Sequence, residues 1–359
     1  MKKKIKDIYK EIVSFENIYN ASKHAQKNKR YKKEVLDFNA NLEENIIEIQ
    51  NELIWKTYEP GKYNDFYVYE PRQRLIMALP YKDRVVQWAI YLKTTPLIDE
   101  MFYEHSYACR KGKGSLRAIM QLKNWMQNED AIYYGKIDIS KFFHRVNHAA
   151  IMWDLKNRIS DENLLWLYGK FVNDRKTAFG LPRGMSAEEC LKNERLFEVG
   201  MPIGSLSSQM NANMQLDNLD WYVVKELNFS GHYIRYMDDA ILVGKSKKEI
   251  WEVIKNIEVF LDKTLQLELN DKTKVGRITN GIDFLGCKIK RDQIRIKKKS
   301  KQRMEKRLKY VRKQHEKKEV TLEKLKETEN SYAERLDKFG CVGLMKKLGL
   351  SKKEEGMQG

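Results

Sequence analysis

GHYIRYMDDAILVG, residues 231–244, is the stretch on which the reading of this chain turns. Two apolar runs, HYIRYM and AILVG, are separated only by Asp238-Asp239. Runs this short and this close predict two strands joined by a tight turn. Hairpin turns favour Asn-Gly or Asp-Gly, where a positive φ costs little. Asp-Asp supplies no glycine and sets two negative charges side by side. Their repulsion eases when a cation sits beside them. The pair therefore predicts a divalent-cation site at the hairpin tip. A solvated surface turn is the competing reading of the same two residues.

Upstream, AIYYGKIDI (131–139) alternates like a strand and carries Asp138 near its end. Laid beside the hairpin, this strand completes a three-carboxylate site. Hard cations such as Mg²⁺ take oxygen ligands, and phosphoryl transfer often uses two of them. The composition fits a polyanionic partner: 359 residues carry a net charge of +18 and a pI near 9.4. Nucleic acid is the first candidate for so basic a chain. A lysine-rich solvated surface is the bland alternative. Cys109, Cys190, Cys287 and Cys341 form no CxxC pair, and the six histidines do not flank them at ligand spacing. That argues against zinc and against a disulfide framework, and for a reducing compartment. MKKKIKDIYKEIVSF (1–15) starts like a signal peptide but lacks its apolar core. No run of about 18 apolar residues occurs, so no membrane helix or membrane partner is expected. The expected location is the cytosol.

Strands and helices intermix without a βαβ rhythm, which predicts an α+β fold. Ile5, Ile8, Ile12, Phe15 and Tyr19 predict one amphipathic helix over 5–20, and 36–57 reads as a second. Between them, Lys23–Lys33 is a basic run suited to solvent or to phosphate. DFYVYEP and RLIMALP alternate like a hairpin, and 83–104 returns to helical spacing. Residues 147–159 and 205–228 read as helices, with a loop-like stretch from about 173 to 200. Ser246 and Glu249 predict a capping box ahead of a helix that buries Ile250, Ile254, Ile257 and Leu261. Short strands follow near 273–278, 282–289 and 293–296. From Lys288 to Val320 there are 16 Lys/Arg against 4 Asp/Glu at helical period. The expected segments are a basic helical extension (1–60), 61–130, 131–290 with an insertion around 160–200, and a basic helical module (291–359). Residues 1–35 hold 11 Lys/Arg and 4 Asp/Glu, enough to attract RNA.

With Tyr236 and Met237, the aspartates complete YMDD, and IRYMDDAILVG resembles the catalytic hairpin of reverse transcriptases. KIDISKFFHRVNH resembles that family's first aspartate motif, and GMPIGSLSSQMNAN the next. GIDFLGCKI resembles the hairpin that grips the primer end; RLIMALPYKDRVVQ and YACRKGKGS resemble finger motifs. Six motifs occur in the family's order across roughly residues 65–290. The resemblance implies a right-hand polymerase: fingers over 61–130, palm over 131–290 and thumb over 291–359. It implies two Mg²⁺ ions, with Mn²⁺ as a substitute, held by Asp138 and Asp238 with Asp239 nearby and the Ile139 carbonyl helping. Phe143, five residues after Asp138, would pack under the deoxyribose and exclude a 2′ hydroxyl. Arg72, Arg74, Lys82 and Arg84 are candidates for the incoming dNTP or the template backbone. Arg110, Lys111 and Lys113 would meet template or primer, and Phe284, Leu285 and Gly286 the primer end. The basic C-terminal helices resemble a thumb that holds the RNA template and its cDNA by their phosphates.

Most cellular enzymes of this type carry Gln-Gly, three residues, then Ser-Pro. Here the run is Ile203-Gly204, Ser205-Leu206-Ser207, then Ser208-Gln209. This variant resembles the enzymes of diversity-generating retroelements, which mutagenise at adenines while copying a template RNA. Such a retroelement implies a prokaryotic or phage-encoded protein with a small basic accessory partner. Antiphage-defence or unassigned bacterial reverse transcriptases that copy a noncoding RNA share the compact plan. A nonenzymatic RNA-binding relative is the third reading, against which the three intact aspartates stand.

Overall fold

The structure, a computed structural model, describes residues 4–69, 74–182, 184–187 and 189–351. The chain opens with α1 (Tyr9–Ile12), α2 (Phe15–Ala25), α3 (Lys33–Ala40) and α4 (Leu42–Ile54). The strand pair β1 (Asn64–Val68) and β2 (Arg74–Ala78) leads into α5 (Tyr81–Asp99) and α6 (Ser115–Trp125). Then come β3 (Tyr133–Asp138), α7 (Phe142–Arg145), α8 (His148–Arg158), α9 (Glu162–Val172) and α10 (Leu206–Trp221). The hairpin β4 (His232–Tyr236) and β5 (Asp239–Gly244) is followed by α11 (Lys247–Phe260) and β6 (Lys274–Arg277). Strands β7 (Ile282–Phe284), β8 (Cys287–Ile289) and β9 (Ile294–Ile296) precede α12 (Lys298–Glu316), α13 (Leu322–Lys338) and α14 (Val342–Lys347). The fold is α+β with antiparallel pairing throughout its named strands.

The central sheet has the order β4-β5-β3-β6. Strand β5 is apolar on both faces because both faces of the sheet are covered there. Tyr233, Ile137, Ala240 and Leu242 join the core built with α5, α8, α10 and α11. Ile234, Ile241 and Val243 join the opposite core, against Ile119, Leu122 and Trp125 of α6. This explains the unbroken AILV run, since a strand buried on both sides need not alternate. Helix α11 lies close on β3 at Gly135, where a Cβ would stand 2.7 Å from Ile250 Cγ2. Hairpin β1–β2 and α5 fall in the segment expected as fingers, the central sheet in that expected as palm, and α12–α14, packed around Met304, Leu308, Leu336 and Met345, in that expected as thumb. The N-terminal helices share the main core with fingers and palm.

Several elements differ from their expected extents. The helix predicted over 5–20 is two helices, because Ser14 caps a fresh start by accepting from Asn17 N–H. The restart turns the buried face to Ile18 and Ala21 and leaves Phe15 and Tyr19 exposed. The helix predicted over 36–57 breaks at Asn41, whose ψ of 50° is not helical. Of the capping box only half forms. Ser246 Oγ accepts from Glu249 N–H, but the Glu249 carboxylate accepts from Ser230 Oγ at 2.7 Å. Helix α10 ends at Trp221 and continues as one π-helical turn, Tyr222–Glu226. Among the described residues no helix is long and apolar enough to cross a membrane.

Candidate active site

Antiparallel registry sets Asp138, the last residue of β3, directly opposite Asp239, the first of β5. Side chains of directly opposed residues share a face about 5 Å apart, and like charges there destabilise a sheet. The hairpin turn is Met237-Asp238, because Tyr236 already pairs with Asp239. Asp239 thus belongs to the strand, and the predicted Asp238-Asp239 tip is shifted by one residue. Met237 supplies the positive φ, +57°, that glycine would normally supply. The Ile139 N–H donates to the Asp238 carbonyl at 3.2 Å and joins the end of β3 to the turn. The motifs thereby bring Asp138, Asp238 and Asp239 to one end of the palm sheet.

Lys136 offsets part of this charge. Two residues before Asp138 it lies on the same face, and its Nζ donates to Asp239 Oδ2 and to the Asp283 carbonyl, each at 3.0 Å. Burial nevertheless pushes the Asp239 carboxyl up to about 6, with Asp138 and Asp238 adding to the rise and Lys136 opposing it. Burial also raises Asp138, against Lys136 and Lys272. Asp239 Oδ1 is buried without a hydrogen-bond partner. A buried carboxylate oxygen left so costs free energy unless a donor or cation serves it. Among the described residues no three His, Cys, Asp or Glu side chains are arranged to hold a metal ion as they stand. The donor set nonetheless fits a hard divalent cation: three carboxylates at one sheet end, one with an unserved oxygen. Asp239 is half committed to Lys136, through Oδ2 alone.

Around the aspartates the other motifs take definite places. Phe143 is half-buried and meets Phe142 edge-on at 5.4 Å. Its carbonyl accepts from Met201 N–H at 2.7 Å, which ties the aspartate motif to the loop before Ile203. His148 bonds the Gly200 carbonyl at 2.6 Å and strengthens the tie. Ile203 is half-buried beside Gly204. Gln209 lines a cavity of about 630 Å³ with Arg84, Lys29, Lys32 and Phe66. The aspartates do not line this cavity, so it is a finger-side chamber distinct from the carboxylate end. Gln87 Nε2 donates to Ser205 and Ser207 Oγ, at 3.0 and 3.1 Å, and fastens α5 to α10 beside it.

The finger cations divide. Arg72 lies outside the described residues, as does the side chain of Arg74, which heads β2. Lys82 pairs with Glu48 and Glu52 of α4, at 2.8 and 2.7 Å. It braces the N-terminal helices. Arg84 faces the cavity but pairs with Glu34. Arg110 is built into the fold. Its side chain is 6% exposed, and its three nitrogens bond Asp99, Tyr103 and Ser106. A guanidinium so occupied clamps the fold. Lys111 is exposed, and Lys113 donates to the Glu104 carbonyl over the Tyr107 ring.

In GIDFLGCKI, Phe284, expected at the primer end, is 1% exposed and belongs to the core. Leu285 and Gly286 form the β7–β8 turn with φ of +47° and +78°. They line a groove of about 340 Å³ that runs from Tyr236 to Ser300, Arg303 and Arg335 of the thumb. The sequence reading missed Arg235, Asp220 and Asn213. Asn213, Asp217 and Asp220 are spaced four and three apart on α10, all buried. A buried helix with a polar stripe at that spacing was the available signal.

The family described as "Reverse transcriptase (RNA-dependent DNA polymerase)" matches residues 69–289. Protein YkfC of Escherichia coli is 26% identical in an alignment of 289 positions that covers 69% of this chain and 71% of YkfC. The putative COX1/OXI3 intron 2 protein of Saccharomyces cerevisiae is 23% identical over 253 residues, covering 58% of this chain and 29% of the yeast protein. Telomerase from Candida albicans, solved with the TWJ fragment of telomeric RNA, superposes with a TM-score of 0.46 at 14% identity. That alignment covers 81% of this chain and 55% of the telomerase chain.

Proposed function

Because the chain belongs to the reverse transcriptase family, with residues 69–289 matching, we propose that it is an RNA-directed DNA polymerase whose catalytic carboxylates are Asp138, Asp238 and Asp239. The observation that carries this reading is the registry of β3 against β5. It faces Asp138 to Asp239 and leaves Asp238 in the adjoining turn. Asp138 and Asp238, with the Ile139 carbonyl, would hold two Mg²⁺ ions, or Mn²⁺ in their place. Such ions activate a primer 3′ hydroxyl and neutralise the triphosphate and the departing pyrophosphate. Lys136 keeps Asp239 oriented and partly neutralised. Phe143 offers a flat, rigid ring, held by its backbone bond to Met201, against which a 2′ hydroxyl would clash. Leu285 and Gly286 border the groove suited to a primer end, and Lys111 and the thumb face meet phosphates without reading sequence. Primer extension on an RNA template with Mg²⁺ tests the reading. Wild type should incorporate dNTPs and Asp238→Ala should not; equal incorporation by both removes it.

The finer reading is an error-prone enzyme of a diversity-generating retroelement. Its support is Ile203 where a polar glutamine is usual, and Gln209 in the chamber beside Arg84. Each lost polar contact is worth on the order of 1 kcal/mol of discrimination. A template RNA and a small basic accessory protein are its implied partners. Sequencing cDNA made from a defined RNA should show errors concentrated opposite adenine, reduced in Ile203→Gln. An even, low error spectrum favours a defence-associated or other bacterial enzyme instead.

A further inference from the structure

Arg235 sits one residue before the YMDD tyrosine and is 1% exposed, and its partner Asp220 is fully buried. Nε donates to Asp220 Oδ1 at 2.7 Å and Nη2 to Oδ2 at 2.6 Å. Tyr233 Oη donates to the same Oδ1 at 3.0 Å. The backbone of Arg235 is pinned as well, its N–H to the His105 carbonyl and its carbonyl to Tyr107 N–H. Only Nη1 reaches forward. It donates to Asn213 Oδ1 at 3.3 Å and to the Met237 carbonyl at 3.1 Å.

That carbonyl belongs to the residue with φ +57°, a conformation that L side chains adopt only at a cost. It also shares a rigid peptide plane with the N–H of Asp238. Fixing the carbonyl fixes that plane, and with it the point from which Asp238 projects. The bond is charge-assisted and buried, and its donor cannot swing, because two of its three nitrogens are anchored on α10. Stability alone does not call for such a pair: replacing a buried ion pair by apolar groups of like volume is often neutral or stabilising. What apolar groups cannot do is hold the turn carbonyl.

We propose that Arg235, clamped by Asp220, is a positioning residue that sets Asp238 for divalent-cation binding. The proposal rests on the polymerase reading of the three aspartates. Two variants test it. Arg235→Lys keeps the charge against Asp220, but one ammonium cannot span Asp220 and the Met237 carbonyl. The double variant Asp220→Leu/Arg235→Met removes both charges together. Mn²⁺ binding is read by electron paramagnetic resonance on the full chain without nucleotide, beside circular dichroism and template–primer affinity. Both variants should fold and hold template–primer as wild type does, while the Mn²⁺ Kd rises about ten- to a hundred-fold. A folded variant of either kind with the wild-type Mn²⁺ Kd overturns the proposal. Wild type that binds no Mn²⁺, or binds it equally after Asp238→Ala, removes the polymerase reading instead.

Discussion

Asp239 carries opposed demands at the scale of one residue. Its folded carboxyl titrates near 6, above the ordinary range near 4, because burial outweighs Lys136. A raised carboxyl favours the protonated fold, so its stabilisation is complete below about pH 4 and lost as pH rises through about 6. The effect is on the order of 2–3 kcal/mol. In metal-free protein, Asp239→Asn should therefore gain on wild type in Tm between pH 4 and 6.5. Parallel Tm curves across that window would contradict this. Phe143 gives a second expectation: Phe143→Ala should raise incorporation of ribonucleotides relative to deoxyribonucleotides, read as the ratio of kcat/KM values. The meeting of Asp138 with the Asp238-Asp239 hairpin was legible, because a strand ending in Asp and Asp-Asp between apolar runs are local patterns. The surroundings of Phe284 and Arg110 were not. A motif tells which residue occupies a position, while burial and partners such as Asp99 decide which way it faces. Arg235 left no local trace either, since its partners lie on α10, a separate element.

At the scale of elements, turns and clamps join the parts. Gly286 holds φ +78°, and a Cβ there would collide with Ser300 Oγ at the start of the thumb. Gly286→Ala should lower stability by about 1–3 kcal/mol and loosen primer binding, measured by denaturation and by primer dissociation. Arg110→Ala should cost about 2–4 kcal/mol by stranding the Asp99 carboxylate and the carbonyls of Asp99, Tyr103 and Ser106, whereas Lys111→Ala should leave stability unchanged. A thermally neutral Arg110→Ala would restore the template-binding role expected from sequence. Hairpins and strands were read well, since their signals are short and period two. Helix boundaries fared worse: Ser14 and Asn41 break amphipathic patterns that continue past them. The polar stripe of α10 concealed its buried face, because only tertiary partners make Asn213, Asp217 and Asp220 internal.

For the whole molecule, much of the net charge of +18 falls on residues 288–320, which hold 16 Lys/Arg against 4 Asp/Glu. Helix α12 buries Met304, Leu308 and Val311 and turns Lys306, Arg307, Lys309 and Lys313 outward. Template–primer affinity should fall steeply with salt, and neutralising two of these cations should flatten that slope by roughly the charge removed. The α+β architecture was legible from the mixture of periods. The finger chamber was not, because Lys29, Phe66, Arg84 and Gln209 meet only after four separate segments pack. The central claim is that the end of the palm sheet is one polymerising centre. Single-turnover incorporation of one dNTP on an RNA-templated primer tests it most directly, in wild type, Asp138→Asn and Asp238→Asn. Each substitution should slow incorporation by about a thousand-fold or more while template–primer binding holds, as expected when charge stabilisation is lost. Incorporation at the wild-type rate by either variant would contradict the account.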